Sequence, residues 1–323
     1  MSKHRLLQYG LTLLILFNLN FLLPRALPGD PLLTLINADH TISVLTAQQV
    51  QYYRRYYGLD APWWQQYVQY WRGILTGDLG QSIYFKAPVL PLVLKRMGWT
   101  LLLVVPSLLI STILGTVLGS LGAWYRKRPW ERVLYGALVL VGELPLFLIG
   151  TLLLFGFSVR LQWFPLGGAR THFAQYVGWW DYVKDLARHG ALPIATLSLS
   201  RLSSSFLLCR NTMIGVLEEP FMHTAYLKGL SGKVRLFKHG LANCLVPIVT
   251  RTFTSLGTLL GGAVLIEILF AYPGIGQLLQ QAVLAADYPL LQGILLFTSV
   301  GVVTANFLGD ALCRRLDPRV REE

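Results

Sequence analysis

Residues Trp99–Trp124 read WTLLLVVPSLLISTILGTVLGSLGAW and contain no charged side chain. A bilayer core about 30 Å thick is crossed by about 20 predominantly apolar residues in a helix. We therefore predict that this stretch spans a membrane. Further apolar runs of comparable length bring the predicted spans to six: Leu6–Leu23, Trp99–Trp124, Val133–Val159, Leu192–Leu208, Val246–Phe270 and Leu290–Leu312. Since no run shows the alternating pattern of a membrane β-barrel strand, we predict an all-α membrane protein.

Composition agrees with this fold class, because 54% of the 323 residues are hydrophobic and only 14% are charged. Soluble domains carry about 25% charged residues. The net charge of +12 suggests a nucleic-acid partner at first sight, but clusters of basic residues lie at the two ends of the chain and in the second and fourth connections. The two outer segments also carry basic residues, but both are long, and the positive-inside rule is weak for long segments. The connection over residues 271–289 has no Lys or Arg. The positive-inside rule then places both termini in the cytoplasm.

The first apolar run has two interpretations. Lys3, Arg5 and the run after them are also typical of a secretory signal peptide. No small-x-small cleavage site follows, and five more spans come later, so we predict an uncleaved first helix. Cys209, Cys244 and Cys313 are widely spaced and form no metal or redox pattern, so we expect free thiols and no metal site.

The chain divides into an N-terminal helix (residues 1–27), an extracytoplasmic segment (28–97), a five-helix core (98–313) and a cytoplasmic tail (314–323). In the outer segment, Thr46 starts a predicted helix that ends near Gly58. A second helix, Trp63–Leu75, carries an aromatic stripe that includes Tyr67 and Tyr70. Trp and Tyr favour the membrane boundary, so the stripe indicates either a helix packed at the membrane surface or a surface that contacts substrate.

The cytoplasmic loop over residues 218–244 predicts a helical hairpin. Pro220 suits the first turn of a helix, and Gly229 permits the left-handed geometry that ends one. A second helix is predicted from about Ser231, with one apolar face formed by Val234, Phe237, Leu241 and Leu245. Such an element can transmit a push from a docked partner into the fifth span. An ordinary amphipathic surface helix has the same periodicity, so the pattern alone does not decide between them.

Charged residues inside spans mark a candidate pathway, because they are expensive at membrane depth. Glu143 lies about 15 Å along the third span at 1.5 Å per residue, and Arg201 lies at a similar depth in the fourth. We predict that they form an ion pair or face a common water-filled cavity, with a purely structural ion pair as the alternative. Glu267 lies near the outer end of the fifth span and is a candidate gate residue.

The order of short motifs along the chain resembles the inner-membrane permease family for dipeptides, oligopeptides and nickel chelates, and in particular its OppB/DppB-type branch. In the N-terminal part, the matching residues are Pro28–Pro31, Gly58–Pro62 with Gln66–Tyr67, and Gly77–Ser82. In the loop over residues 218–244 and just after it, they are Phe221, Thr224, Ala225, Lys228, Gly229, Leu230, Ser231, His239, Asn243 and Pro247. In the C-terminal part, they are Glu267–Phe270 with Pro273–Gly276, Asp287–Pro289 with Gln292–Gly293, and Leu316–Arg321. Glu219–Pro220 and Tyr226–Leu227 depart from the family's usual residues. Together the motifs resemble the family over almost the whole chain.

The resemblance implies a fold like the permease domain of type I ABC importers, with the loop at 218–244 as the coupling loop to the ATPase. It implies a sister permease, two cytoplasmic ATPase subunits and an extracytoplasmic solute-binding protein as partners. ATP and Mg would be bound by those ATPase subunits, so we expect no cofactor on this chain. The cargo would be peptides or similar small solutes, with nickel chelates or another small cationic solute as the alternative.

Two other classes of protein are compared with this hypothesis. A self-sufficient secondary transporter usually has structural repeats with broken helices that meet at the midplane, and the sequence shows no such pair. An intramembrane enzyme needs a catalytic pair at membrane depth, and the six predicted spans contain no His and no Asp pair.

Overall fold

The computed structural model describes residues 3–26, 51, 55 and 60–316, and it is helical apart from one isolated β-bridge between Gln81 and Pro88. The turn predicted at residues 28–31 lies outside the described residues. So do most of the helix predicted over residues 46–58 and the tail motif at 317–321. An all-α fold was therefore correctly predicted for the part of the chain that the structure describes.

Ten α-helices, numbered here in chain order, are described. They are α1 Lys3–Ala26, α2 Trp63–Thr76, α3 Val89–Trp124, α4 Pro129–Glu143, α5 Leu146–Leu153, α6 Trp179–Leu217, α7 Pro220–Leu227, α8 Leu241–Leu269, α9 Ile275–Leu284 and α10 Tyr288–Leu316. Two π-helical segments, Leu154–Arg160 and Val234–Gly240, follow α5 and precede α8 without a break.

Five described helical stretches are long and apolar enough to cross a membrane: Leu7–Ala26, Val89–Trp124, Trp179–Leu217, Val234–Leu269 and Tyr288–Cys313. The α4–α5 pair makes a sixth if the pair is one span. The helices extend well beyond the predicted apolar runs. The span predicted at Leu192–Leu208 belongs to α6, whose 39 residues extend about 58 Å at 1.5 Å per residue.

The third predicted span, Val133–Val159, is not one straight helix. The α4 and α5 axes meet at 103°. The break lies at Leu144, whose φ of −70° and ψ of 134° are extended. Pro145 explains it, because a proline ring disfavours helical geometry in the preceding residue and cannot donate the next helical hydrogen bond. The prediction considered apolar length and overlooked this proline.

The chain packs as two compact units, and the first combines residues 1–100 with 273–303. Its core is formed by the start of α3, by α9 and by the start of α10, with buried residues Val89, Val93, Ile275, Leu278, Ala282, Leu290, Leu291 and Ile294.

The aromatic stripe of α2 packs on α1. Tyr67 Oη donates to Asn18 Oδ1 at 2.6 Å, and Tyr70 Oη donates to the Phe17 carbonyl at 3.0 Å. Burial raises the pKa of Tyr70 to about 12.

The second unit combines residues 101–272 with 304–323. In it α6 packs against α4, α5 and α8. Small residues on α3 allow close approach to α6, since a Cβ added at Gly119 would lie 2.7 Å from the Phe206 carbonyl oxygen. Close packing at small residues is the usual way in which membrane helices associate.

Candidate coupling hairpin and membrane-embedded charges

The loop over residues 218–244 forms the predicted hairpin. Helix α7 begins with Pro220 at its first turn. It ends at Leu227, and Gly229 follows with a φ of 73°. The N–H of Gly229 donates to the Tyr226 carbonyl at 2.9 Å, and the N–H of Leu230 donates to the Ala225 carbonyl at 3.3 Å. These bonds satisfy carbonyls that a helix end otherwise leaves free.

Helix α7 presents an exposed face that carries large apolar side chains. Met222 and Ala225 point inward and are buried. Most of the other predicted coupling residues are exposed, namely Phe221, Thr224, Lys228, Gly229 and Ser231, whereas Leu230 is half-buried. Leu227 is 72% exposed and Tyr226 is 58% exposed. An apolar surface of this kind at a polar rim is typical of a protein interaction site.

The helix after the hairpin begins at residue 232, close to the prediction, but its buried face is a different one. Val234, Phe237 and Leu245 are exposed, and the residues that face the core are Leu236, Gly240, Cys244 and Ile248. The prediction assumed 3.6 residues per turn. The π-helical segment Val234–Gly240 has a wider turn and shifts the register.

Within this segment, Gly240 lies close to α6, and His239 is joined to the next turn of the helix. A Cβ at Gly240 would lie 2.9 Å from Met213 Sδ, so a larger residue would require the flexible Met213 side chain of α6 to shift. His239 is half-buried, and its carbonyl accepts a hydrogen bond from Asn243 Nδ2 at 2.8 Å. This bond joins two of the motif residues across one turn.

Arg235 joins the two arms of the hairpin, a role that the sequence analysis missed. Its guanidinium carbon lies 5.3 Å from the centroid of a Trp124 ring and 4.9 Å from that of Tyr226. Both distances are within the range of cation–π attraction. The contacts connect the end of α3, helix α7 and the π-helical segment. Only the Tyr226 contact had a signal in the sequence, since both residues lie in the predicted hairpin, whereas Trp124 is distant from Arg235 along the chain.

A buried ion pair connects α4 to α6. Arg210 Nε lies 2.8 Å from Glu131 Oε1, and the side chains are only 17% and 4% exposed. The guanidinium also lies over the Tyr135 ring. A second pair, Arg126 with Glu218 at 3.0 Å, is solvent-exposed. The first turn of α4, which contains Glu131, is therefore fixed to the helix that leads into the hairpin.

The structure does not bring Glu143 and Arg201 together. Glu143 is exposed at the last residue of α4, next to the bend. Arg201 instead donates to the Ser255 carbonyl at 3.2 Å and to Thr258 Oγ1. The predicted ion pair is absent, and the partners of Arg201 are neutral groups on α8.

Glu267, the candidate gate residue, is fully buried near the C-terminal end of α8. Its carbonyl accepts a hydrogen bond from the Tyr272 N–H at 2.7 Å. Burial, followed by the nearby Glu267 carboxyl, raises the pKa of Tyr272 well above its usual value. Glu267 is thus placed within a packed C-terminal end of the helix rather than on an open surface.

The first unit contains a cavity of about 460 Å³. Arg25, Gln66, Tyr70, Asp78 and Gln292 contribute polar groups to its lining. Tyr70 therefore both packs against α1 and lines this cavity. No cluster of His, Cys, Asp or Glu suitable for a metal ion occurs among residues 3–26 and 60–316.

Comparison with known proteins gives a family match over residues 115–322, to the family described as binding-protein-dependent transport system inner membrane component. The oligopeptide transport system permease protein AppB of Bacillus subtilis is 32% identical over 306 residues, which are 94% of this chain and 93% of that protein. A putative peptide permease protein of Brucella ovis is 34% identical over 320 residues, covering 98% of each chain. The glutathione transport system permease protein GsiC of Salmonella paratyphi A is 34% identical over 320 residues, 98% of this chain and 97% of that protein.

Proposed function

The chain belongs to the family of binding-protein-dependent transport system inner membrane components, and on this basis we propose that it forms the translocation pathway of an importer for peptides. As a family member it is a multi-pass inner-membrane permease subunit of an ABC transporter. It is a transport component rather than an enzyme. Its partners are, in general terms, ATPase subunits and a solute-binding protein.

The observation that carries the proposal is the continuity between hairpin and span. Helix α7 turns at Gly229 into a helical stretch that runs without interruption from residue 232 to residue 269. A displacement of α7 by an ATPase is therefore transmitted directly into the fifth span. The contacts of Arg235 with Trp124 and Tyr226 keep the hairpin from moving independently of α3.

The finer assignments are part of the same proposal. The chain has six spans, with the bent α4–α5 pair counted as the third, and both termini are cytoplasmic. It pairs with a sister permease and binds two ATPase subunits through the exposed face of α7, with ATP and Mg on those subunits. Glu143, Arg201 and Glu267 lie along the pathway or its gate. Two of the similar proteins are an oligopeptide permease and a putative peptide permease, which supports a peptide cargo.

The coupling role is tested by placing a charge on the exposed face of α7. Leu227→Asp would put a carboxylate into the apolar contact with the ATPase. Val177→Asp is the matched control, because Val177 is 97% exposed in the loop before α6. Both variants are reconstituted in vesicles with the sister permease, the ATPase subunits and the solute-binding protein. Each vesicle preparation is then assayed for ATP-dependent uptake of a tripeptide.

We expect Leu227→Asp to lower uptake at least about tenfold, since a misplaced charge at an interface core costs several kcal/mol, and Val177→Asp to leave uptake unchanged. Equal uptake by both variants would contradict the coupling role. Uptake of Ni²⁺ chelates or a small cationic solute, with none of the tripeptide, would contradict the peptide cargo. Uptake by this chain alone would indicate a secondary transporter.

A further inference from the structure

Two arginines from different helices line one small cavity in the second unit. Arg201 comes from α6 and Arg251 from α8. Hydroxyl groups surround them, contributed by Ser111, Thr112, Ser205, Thr252 and Ser255. The cavity contains about 10 Å³ of space, which is room for about one water molecule. The site thus combines two positive charges with neutral hydrogen-bonding groups.

Neither arginine has an acidic partner within the described part of the chain. The ion pairs described there are Arg126–Glu218, Arg210–Glu131 and His189–Asp185. Arg201 has only the Ser255 carbonyl and Thr258 Oγ1 as hydrogen-bond acceptors. An unpaired arginine within a membrane span is unfavourable, and two like charges beside one cavity also repel each other. An anion bound beside both guanidinium groups would offset these costs.

The surface next to this cavity is not suited to lipid. Arg251, Thr254, Thr258 and Gly261 are exposed at helical spacing on one face of α8. A charged and hydroxyl-bearing face at membrane depth normally faces a protein interior or a water-filled path. Arg201 reaches this face through its bond to Thr258. Both guanidinium groups thus belong to one polar surface, with Arg251 and Thr258 at its exposed rim.

We propose that Arg201 and Arg251 form a binding site for the carboxylate of the transported solute. The inference rests on the proposed function, because it assigns this surface to the translocation pathway. A guanidinium presents N–H donors in a planar fork that matches the two oxygens of a carboxylate. Since the enclosed space admits only about one water molecule, the carboxylate binds at the rim. The two arginines repel a cationic solute, so the site favours a peptide with a free C-terminus.

An acidic side chain from the sister permease is the other possible source of the anion. The solute is favoured because Arg251 and the threonines of α8 form an exposed polar stripe that continues to Gly261, rather than a single closed contact. A permanent ion pair would need an anion at the two guanidinium groups alone. A stripe provides successive polar contacts along the direction of transport.

The first experiment compares uptake of Ala-Ala-Ala with uptake of its C-terminal amide by the complete reconstituted transporter. The variants are Arg201→Gln and Arg251→Gln, with Lys184→Gln as a control that removes an exposed positive charge near the start of α6. We expect the wild type and Lys184→Gln to prefer the acid. Each arginine variant should lower that preference about tenfold or more, because hydrogen bonds to charged groups are strong. An unchanged preference, or equal losses for acid and amide, would overturn the site and favour a sister-subunit anion.

The second experiment separates this inference from the proposed function. The purified permease pair, without ATPase or binding protein, is heated in the presence of Ala-Ala-Ala or its amide. The acid should raise the unfolding temperature of the wild type and of Lys184→Gln, and the amide should not. The shift should be absent in the Arg201→Gln/Arg251→Gln double variant. The absence of a shift in the wild type would overturn the inference even if peptide uptake is observed. A shift without any uptake would contradict the proposed peptide importer and leave the anion site supported.

Discussion

Ser82 Oγ donates a hydrogen bond to Asp287 Oδ2 at 2.6 Å, joining two buried residues that are 205 positions apart in the sequence. The same carboxylate oxygen accepts the Tyr84 N–H at 3.0 Å, and Oδ1 accepts the Leu290 N–H at 3.1 Å. Asp287 thus caps the start of α10 and fixes the outer segment to it. Two motifs that the sequence analysis noted separately, Gly77–Ser82 and Asp287–Pro289, meet in one hydrogen-bond network.

The Asp287 network predicts a pH-dependent stability. Burial raises the pKa of Asp287 above its usual value of 3.8, although the hydrogen bonds oppose the shift. The unfolded chain then ionises before the folded one. The contribution of Asp287 to the free energy of unfolding is therefore fully present at pH values below the pKa that Asp287 has in the unfolded chain. It is lost as the pH rises towards the raised pKa of Asp287 in the folded protein. Asp287→Asn should remove this dependence of the free energy of unfolding on pH. It should also destabilise the protein by about 1–3 kcal/mol, because one amide oxygen cannot accept every hydrogen bond that the carboxylate accepts.

Thermal unfolding of the detergent-purified protein between pH 4 and pH 8 measures this slope. Asp78→Asn is the control, because Asp78 is an exposed carboxylate whose bond to the Gly80 N–H spans two residues. The control should retain the slope that Asp287→Asn loses. Identical slopes in both variants would show that Asp287 is not the group responsible.

Breaking the Arg210–Glu131 pair should destabilise the second unit strongly. Glu131→Gln leaves a nearly buried guanidinium without its counter-charge, which costs about 3–5 kcal/mol when a buried pair loses one member. Replacing both residues with apolar ones, as in Glu131→Leu/Arg210→Met, should cost less than the single change. Chemical denaturation of the three proteins checks this order. A double variant that is less stable than Glu131→Gln would contradict it.

Close packing of α3 on α6 predicts that Gly119 tolerates no side chain. Gly119→Ala places a Cβ 2.7 Å from the Phe206 carbonyl oxygen and 2.8 Å from Cys209 Cβ. Overpacking of this kind costs about 1–3 kcal/mol. Gly136→Ala in α4 is the matched control, since its Cβ would meet nothing within 4 Å. The control should be neutral or stabilising by up to about 1 kcal/mol, in line with helix propensity. Similar unfolding temperatures for both variants would be inconsistent with the described packing.

The proposed topology is tested by cysteine labelling. Cys209, Cys244 and Cys313 are buried, so background labelling should be low. A membrane-impermeant maleimide applied to spheroplasts should label Val177→Cys and should not label Leu227→Cys. Both positions are highly exposed in this chain, and both variants are expressed without the ATPase subunits, so accessibility differs only by the side of the membrane. Labelling of Leu227→Cys from outside would reverse the assignment of inner and outer loops.

Five of the six predicted spans lie in helices that are long and apolar enough to cross a membrane, and the hairpin was also predicted, because apolar length, Pro220 and Gly229 act locally. The prediction failed where geometry depends on the neighbours of a helix. The bend at Pro145 was readable from the residue itself. The π-helical register of Val234–Gly240 is not predicted by the 3.6-residue periodicity of the sequence.

For the charged residues, too, the sequence did not indicate which side chains are in contact. Glu143 and Arg201 have similar depths, and depth alone suggested an ion pair. The direction in which each side chain points is set by helix rotation, and Arg201 turns towards Ser255 and Thr258 on α8. The nearly buried pair Arg210–Glu131 was missed because its members lie 79 positions apart in the sequence, so that nothing in the sequence indicated that they are in contact.

The central claim is that α7 is driven by an ATPase on another chain. Its most direct test is tripeptide uptake into vesicles that contain this chain alone, compared with vesicles that contain the complete set of partners and ATP. The account predicts no uptake by the chain alone and ATP-dependent uptake by the complete set. Sustained uptake by the chain alone, without ATP, would contradict it.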